Sequence, residues 1–295
     1  MAQGSVHHGI VVGFDGSLRS RAAISWAARD AELRSAPLTI VHALPDPTAV
    51  AWLDIPVPEG YWNGRRDRGR DVLEDATRIA LEALPAGRDI TVHRELASDS
   101  PLAALVDWSK DAELVVVGCR GHGGVQRALL GSVSSGLIRH AHCPVAVIHD
   151  HRPPAVPLST APVIVGIDGS PASEDAVVIA FDEASRRGVE LIALHTWLES
   201  SDDFISVGWR GVRERADEVL AERLAGWQER YPDVAVQRIV KMDNPADELL
   251  TLSESGQLVV VGSHGRGGIA GLVLGSASST VAHCVRIPVI VARRA

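Results

Sequence analysis

Lysine is almost missing from this 295-residue chain: Lys110 and Lys241 are the only two, and arginine supplies the other 27 of 29 basic residues. The skew reads as genomic composition bias and not as function. Long apolar runs are missing too. None reaches the ~18 residues that a membrane span needs, and no charged-then-apolar leader precedes the first strand-like run. There is no excess of basic charge. The formal net charge is −8 and the sequence pI is near 5.8, which disfavours a nucleic-acid partner, since that would want a basic face. Cysteine is scarce and odd in number, so Cys119, Cys143 and Cys284 cannot all pair within one chain. Free thiols in a reducing cytoplasm are the simplest expectation.

Apolar residues make up 46% and charged residues 22%, as in ordinary globular proteins. The length suggests about two domains, each large enough to bury a core without metals or disulfides.

The chain repeats itself. Residues 10–17 read IVVGFDGS and residues 163–170 read VIVGIDGS. Residues 113–148 align with 257–292 without a gap, and 16 of those 36 pairs are identical. The offset is 153 residues at the front (Asp15 to Asp168, His42 to His195) and 144 at the back (Gly118 to Gly262), so the second copy is nine residues shorter in its middle. The three cysteines do not occupy equivalent places in the two copies. A repeat this long is a domain duplication. We expect one domain over residues 1–150, a stiff proline-rich linker over 151–162, and a second domain over 163–295.

Each copy reads as alternating strands and helices. In the first, short apolar runs at residues 10–14, 38–42, 114–117 and 145–148 suit strands of a parallel sheet buried on both faces, and a further strand is expected over 90–95. Ser17 offers a helix N-cap, and Ala23, Ile24, Ala27, Ala28 and Ala31 share one helical face. Helices are expected over 68–84, from Pro101 onward, and over 132–141. The alternation predicts an α/β fold: two tandem open parallel five-stranded sheets flanked by helices. Such sheets bind ligands at the carboxyl ends of their strands, where the strand order reverses.

Both copies carry G-x2-G-x9-G-S after a strand: Gly118, Gly121, Gly131 and Ser132 in the first, Gly262, Gly265, Gly275 and Ser276 in the second. Glycine lets backbone approach a phosphate without a Cβ in the way. The helix that follows offers free N–H groups and a dipole that attract anions. The hydroxyls of Ser132, Ser134 and Ser135, and of Ser276, Ser278 and Ser279, are candidate further donors. Neither a Walker loop nor a G-x-G-x-x-G after the first strand is present. Glycines after a strand are often only a turn, but two copies with one spacing favour phosphate binding.

On these motifs the chain resembles the universal stress protein family, and in particular its ATP-binding branch. The resemblance covers nearly all of both copies; residues 45–66, 198–209 and the linker match least. It implies a Rossmann-like fold of the adenine-nucleotide-hydrolase-like type. ATP, with or without Mg2+, is the implied ligand. Asp15 and Asp168 would then contact adenosine. Gly118, Gly121, Gly131, Ser132, Val133 and Ser134 would hold ribose and phosphates in the first copy; Gly262, Gly265, Gly275, Ser276, Ala277 and Ser278 would do so in the second. Val41 and Ala193 are the implied backbone contacts to adenine. The implied role is regulation of a stress response through an unidentified protein partner.

Other residues stay open between two readings. Asp-Gly-Ser is also plain turn chemistry. His42 and His195 repeat in register, either as packed, hydrogen-bonded side chains or as pocket lining. Arg120, Arg127 and Arg266 lie in or beside the glycine loops, as solvated surface or as partners of phosphate charge. His140, His142 and Cys143 have a metal-like spacing that the second copy does not repeat. Residues 45–66, with Trp52, Tyr61 and Trp62, read as a long loop, functional or plain. No Ser-His-Asp order and no carboxylate cluster for Mg2+ stands out, so a binding protein is favoured over an enzyme; a slow ATPase or autophosphorylating protein is the alternative. The terminal strands at 145–148 and 289–291 are apolar and edge-like, which favours a homodimer or an intrachain pseudo-dimer.

Overall fold

The computed structural model describes residues 9–44, 59–121, 130–149, 160–196, 204–265 and 274–293, with side chains left out at 59, 61 and 204–213. It divides into two compact units, Met1–His149 and Asp150–Arg294. The linker expected at 151–162 lies mostly outside the described residues.

In the first unit the elements run β1 (Ile10–Gly13), α1 (Leu18–Arg34), β2 (Leu38–Ala43), α2 (Glu59–Glu82), β3 (Val92–Ala97), α3 (Pro101–Trp108), β4 (Leu114–Gly118), α4 (Ser132–His140) and β5 (Val145–Ile148). The sheet order is β3-β2-β1-β4-β5, parallel throughout. The second unit repeats it with β6 (Val163–Ile167), α5 (Pro171–Arg187), β7 (Leu191–Thr196), α6 (Phe204–Arg230), β8 (Val236–Lys241), α7 (Pro245–Ser253), β9 (Leu258–Gly262), α8 (Ser276–Cys284) and β10 (Val289–Ala292). Its order is β8-β7-β6-β9-β10, again parallel. Among the described residues, no helix is long and apolar enough to cross a membrane.

The central strands are buried on both faces, which is why they read as continuous apolar runs. Ile10, Val11 and Val12 are fully buried, as are Val163, Ile164 and Val165. Helix α1 buries the alanine face anticipated from sequence, Ala23, Ile24, Ala27, Ala28 and Ala31. Near the carboxyl end of α1, Arg34 Nε donates to buried Asp30 at 2.7 Å. At the equivalent place in α5, Arg187 pairs with buried Glu183 at 2.5 Å.

Two element starts in the first unit differ from the sequence reading. Helix α2 begins at Glu59, nine residues before the expected start. Gly60 and Gly64 masked it, because each glycine costs a helix about 1 kcal/mol relative to alanine. Gly69 has a packing reason: a Cβ there would lie 2.6 Å from Leu44 Cδ1 and 2.8 Å from Leu96 Cδ1. The absence of a side chain brings α2 down onto the ends of β2 and β3. Strand β3 starts at Val92, two residues later than expected. In the second unit, helix α6 reaches back to Phe204, into the segment that matched least. Trp52 lies outside the described residues.

Candidate functional site

In the first unit a cavity of about 430 Å³ lies at the carboxyl ends of β1, β2 and β4. The strand order turns back between β1 and β4, the place where open α/β sheets bind ligands. Gly13, Leu105 and Val117 line its apolar part. Asp15, His42, Arg120, Gly121 and the first residues of α4, Ser132, Val133 and Ser134, give it polar character.

The turn after the first strand is built identically in both units. Asp15 Oδ1 accepts the Ser17 N–H at 3.0 Å, and Asp168 Oδ1 accepts the Ser170 N–H at 2.9 Å. Gly16 and Gly169 take positive φ, 83° and 78°, a conformation open to glycine at no steric cost. Ser17 and Ser170 then cap the next helix, each accepting an N–H three residues on at 3.2 Å. One carboxylate oxygen therefore serves the turn. The other faces the glycine loop: a Cβ at Gly121 would fall on Asp15 Oδ2, and one at Gly265 would lie 2.8 Å from Asp168 Oδ2. The turn-forming and ligand-facing readings of these aspartates are compatible.

The glycine loop closes on itself at the start of the following helix. The Gly131 N–H donates to Cys119 O at 2.7 Å, and the Gly275 N–H to Ser263 O at 2.9 Å. Ser134 Oγ lies 3.0 Å from Cys119 O and 3.1 Å from Gly131 O. Ser278 Oγ donates to Gly262 O at 2.6 Å. These two hydroxyls, expected from sequence as ligand donors, are buried and turned inward to hold the loop. Ser132 and Ser276 are exposed and keep the expected role open.

Helices α1, α3, α5 and α7 are capped by the side chains of Ser17, Ser100, Ser170 and Asn244. Helices α4 and α8 start after Gly131 and Gly275, which have no side chain to cap with. The first N–H groups of a helix have no intrahelical partner, and the helix dipole adds positive character there. At α4 these groups border the cavity.

The repeated glycines do different jobs. A Cβ at Gly118 would lie 2.9 Å from the Arg19 carbonyl carbon, and one at Gly262 2.8 Å from that of Ala172. Those two let β4 and β9 pass the first turn of the neighbouring helix, so their role is packing. Gly131 and Gly275 let the loop fold tightly: a Cβ would lie 3.3 Å from Arg120 Cα in one and 3.2 Å from Gly265 N in the other.

The strand-two residues come out differently from one another. Val41 lines the cavity, but its carbonyl already accepts the Phe14 N–H at 2.9 Å. Ala193 is fully buried and paired between Val165 and Arg238. By the offset that relates His42 to His195, the counterpart of Val41 is Leu194, so Ala193 is one residue out of place. His42 Nδ1 lies 2.7 Å from Phe14 O, and His195 Nδ1 lies 2.6 Å from Ile167 O. Each histidine thus ties the second strand to the end of the first, and His42 also lines the cavity. Arg120 lines it too; Arg127 and Arg266 lie outside the described residues.

Sequence reasoning missed Gly13 and Leu105. A Cβ at Gly13 would lie 2.8 Å from Leu105 Cδ1, and one at Gly166 3.0 Å from Leu249 Cδ1. The signal was there: a glycine repeated in register inside a strand marks a close approach.

Fold and site together define a duplicated α/β domain with a glycine-loop pocket at the switch point of its sheet. The model of the Universal stress protein family matches residues 8–149 and again 160–293. The chain is 51% identical over 294 residues to universal stress protein Rv2623 of Mycobacterium tuberculosis, covering 99% of both chains. It is 50% identical over 295 residues to universal stress protein Rv2005c of the same species, covering 100% of both. Among solved structures, it matches a universal stress protein from Archaeoglobus fulgidus with a TM-score of 0.72 at 19% identity, over 98% of this chain and 100% of that one. The chain belongs to the universal stress protein family.

Proposed function

We propose that this protein is a nucleotide-binding regulator of a stress response that holds one ATP in each unit. The observation that carries the reading is the cavity at the strand switch point of the first unit, bordered by a helix start with no side-chain cap and by Gly118, Gly121 and Gly131 of the glycine loop. The second unit repeats the turn, the loop closure and the uncapped helix start.

The residues fit such a ligand. The cavity volume falls in the range of about 300–1,000 Å³ usual for small-molecule sites. Val41, His42 and Ala43 supply a surface for base and ribose at one end. Ser132, Val133 and Ser134 supply N–H groups for phosphate at the other. Asp15, with one oxygen held by the turn, lines the same cavity and would accept from ribose hydroxyls. When bound, ATP supplies negative charge that completes the α4 start as a cap would. Mg2+ would arrive with the phosphates: among the described residues, no group of three or more His, Cys, Asp or Glu is placed to hold a metal.

The reading is of a protein that holds nucleotide and does not consume it. Binding needs only backbone amides and hydroxyls. Hydrolysis needs a positioned water and charge stabilisation at the γ-phosphate as well. The signal would pass through a protein partner, in the cytoplasm.

The experiment is to release and identify nucleotide from the purified protein by heat and chromatography, then to titrate the emptied protein with ATP by calorimetry. The reading expects released adenine nucleotide and saturable ATP binding that is lost in a Gly131→Val, Gly275→Val variant retaining its fold. Unchanged ATP affinity in that variant would show that the loop is not the site. Phosphate release at the 1–100 s⁻¹ typical of kinases would favour the enzyme reading.

A further inference from the structure

The histidine near the end of the second strand holds the backbone that leads into the site aspartate. Pairing of β1 with β2 ends at Gly13 and Val41, and pairing of β1 with β4 ends one residue earlier, at Val12 and Val116. Phe14 and Asp15 therefore lie past the paired part of the strand. Phe14 is buried, so its N–H and its carbonyl both need partners. The N–H donates to Val41 O at 2.9 Å. The carbonyl is met by the His42 ring, whose Nδ1 lies 2.7 Å away. A carbonyl oxygen only accepts, so Nδ1 carries the hydrogen and donates it.

That bond acts on the next residue. The peptide unit is planar, so fixing the Phe14 carbonyl fixes the plane from which the Asp15 backbone starts. The Asp15 side chain has a second constraint, since Oδ1 accepts the Ser17 N–H at 3.0 Å. The two constraints together set the direction of Oδ2, which faces the loop at Gly121.

The second unit repeats the arrangement. His195 Nδ1 lies 2.6 Å from Ile167 O, and Asp168 follows, with Oδ1 on the Ser170 N–H at 2.9 Å. The residues around the pair differ between the copies: Ile167 stands for Phe14, Leu194 for Val41 and Thr196 for Ala43. The histidine and the aspartate are the same in both. In the first unit His42 and Asp15 line one cavity.

We infer that His42 is a positioning residue for the nucleotide site of the first unit: through the Phe14 carbonyl it aims the Asp15 carboxylate, and so sets a preference for ligands that carry free ribose hydroxyls. The inference rests on the proposed nucleotide site and deepens it, naming ribonucleoside polyphosphates as the ligand class and a side chain that selects them at one remove. A nucleotide without the 2′- and 3′-hydroxyls gains nothing from an aimed carboxylate; a ribonucleotide does.

The experiment uses the full-length chain with Gly275→Val closing the second site. Calorimetry measures the affinities for ATP and for 2′,3′-dideoxy-ATP, and their ratio is the readout. A change in the surface that residue 42 presents to the ligand acts on both nucleotides and cancels in that ratio. His42→Leu should lower the ratio about ten-fold, the size of one lost hydrogen bond to a charged group. The side-chain amide of asparagine reaches the place of Nδ1 and that of glutamine the place of Nε2, so His42→Asn should keep the ratio and His42→Gln should not. In an Asp15→Asn background, His42→Leu should no longer move it. Circular dichroism checks the fold, and the Asn and Gln pair decides the matter if His42→Leu does not fold. A ratio unmoved by His42→Leu, or one kept by His42→Gln and lost in His42→Asn, overturns the inference. So does a parent chain that binds both nucleotides equally, which leaves the nucleotide reading intact. Absence of ATP binding by the parent chain overturns the nucleotide reading itself.

Discussion

Gly121 passes so close to Asp15 that a Cβ on the glycine would overlap the carboxylate oxygen Oδ2. The second unit repeats the relation between Gly265 and Asp168, at 2.8 Å. The aspartate's other oxygen is committed to the turn in both units. The glycine is therefore needed to leave Oδ2 in place and facing the loop.

Gly121→Val should displace the Asp15 carboxylate and weaken ATP binding at the first site at least ten-fold, a change of about 1.4 kcal/mol. The turn and helix α1 should persist, because Ser17 still caps the helix. Calorimetry with the second site blocked by Gly275→Val reads the affinity, and circular dichroism reads the fold. Unchanged affinity would remove Asp15 from the site.

Ser132 and Ser134 should separate into a binding role and a structural one. Ser134 is buried with its hydroxyl on loop carbonyls, so Ser134→Ala should lower stability by about 1 kcal/mol. Ser132 is exposed at the helix start, so Ser132→Ala should leave stability unchanged and weaken only nucleotide binding. Urea denaturation of both variants, with and without ATP, makes the comparison. The reverse pattern would contradict the inward hydroxyl.

Tyr231 should ionise above its ordinary value of 10.0, because burial disfavours the phenolate and its hydroxyl donates to Asp182. A proton held more tightly in the folded state stabilises that state fully below the unfolded value, and the contribution fades as pH climbs through the raised one. Ultraviolet titration of phenolate absorbance should show one late-titrating tyrosine. The Asp182→Asn variant should bring it back toward the ordinary value; no change on that substitution would remove Asp182 as a cause.

The fold was legible because its central strands are buried on both faces and α1 and α5 carry a buried alanine stripe, so the apolar pattern names those elements. Ser17 as a cap and Pro101 as a helix opener were read from type and position alone, and both hold. The start of α2 was not legible, since Gly60 and Gly64 contradict helix propensity there. At the site, the glycine spacing located the loop but not the division of labour within it. Nothing in the letters separates a glycine that packs against Arg19 from one that spares Asp15. Hydroxyl direction is equally silent: Ser132 and Ser134 are the same residue two positions apart, and the helical turn sends one to solvent and the other inward. Ala193 marks a one-residue slip in aligning the two copies, since the 153-residue offset pairs Val41 with Leu194.

The central claim is that each unit holds its own nucleotide and does not consume it. Native mass spectrometry of the full chain saturated with ATP counts the ligands directly. The account predicts two ATP per chain, one after Gly131→Val or Gly275→Val, none in the double variant, and ATP rather than ADP in every bound species after prolonged incubation. A parent chain that carries no nucleotide, or one in which bound ATP turns over rapidly to ADP, would contradict it.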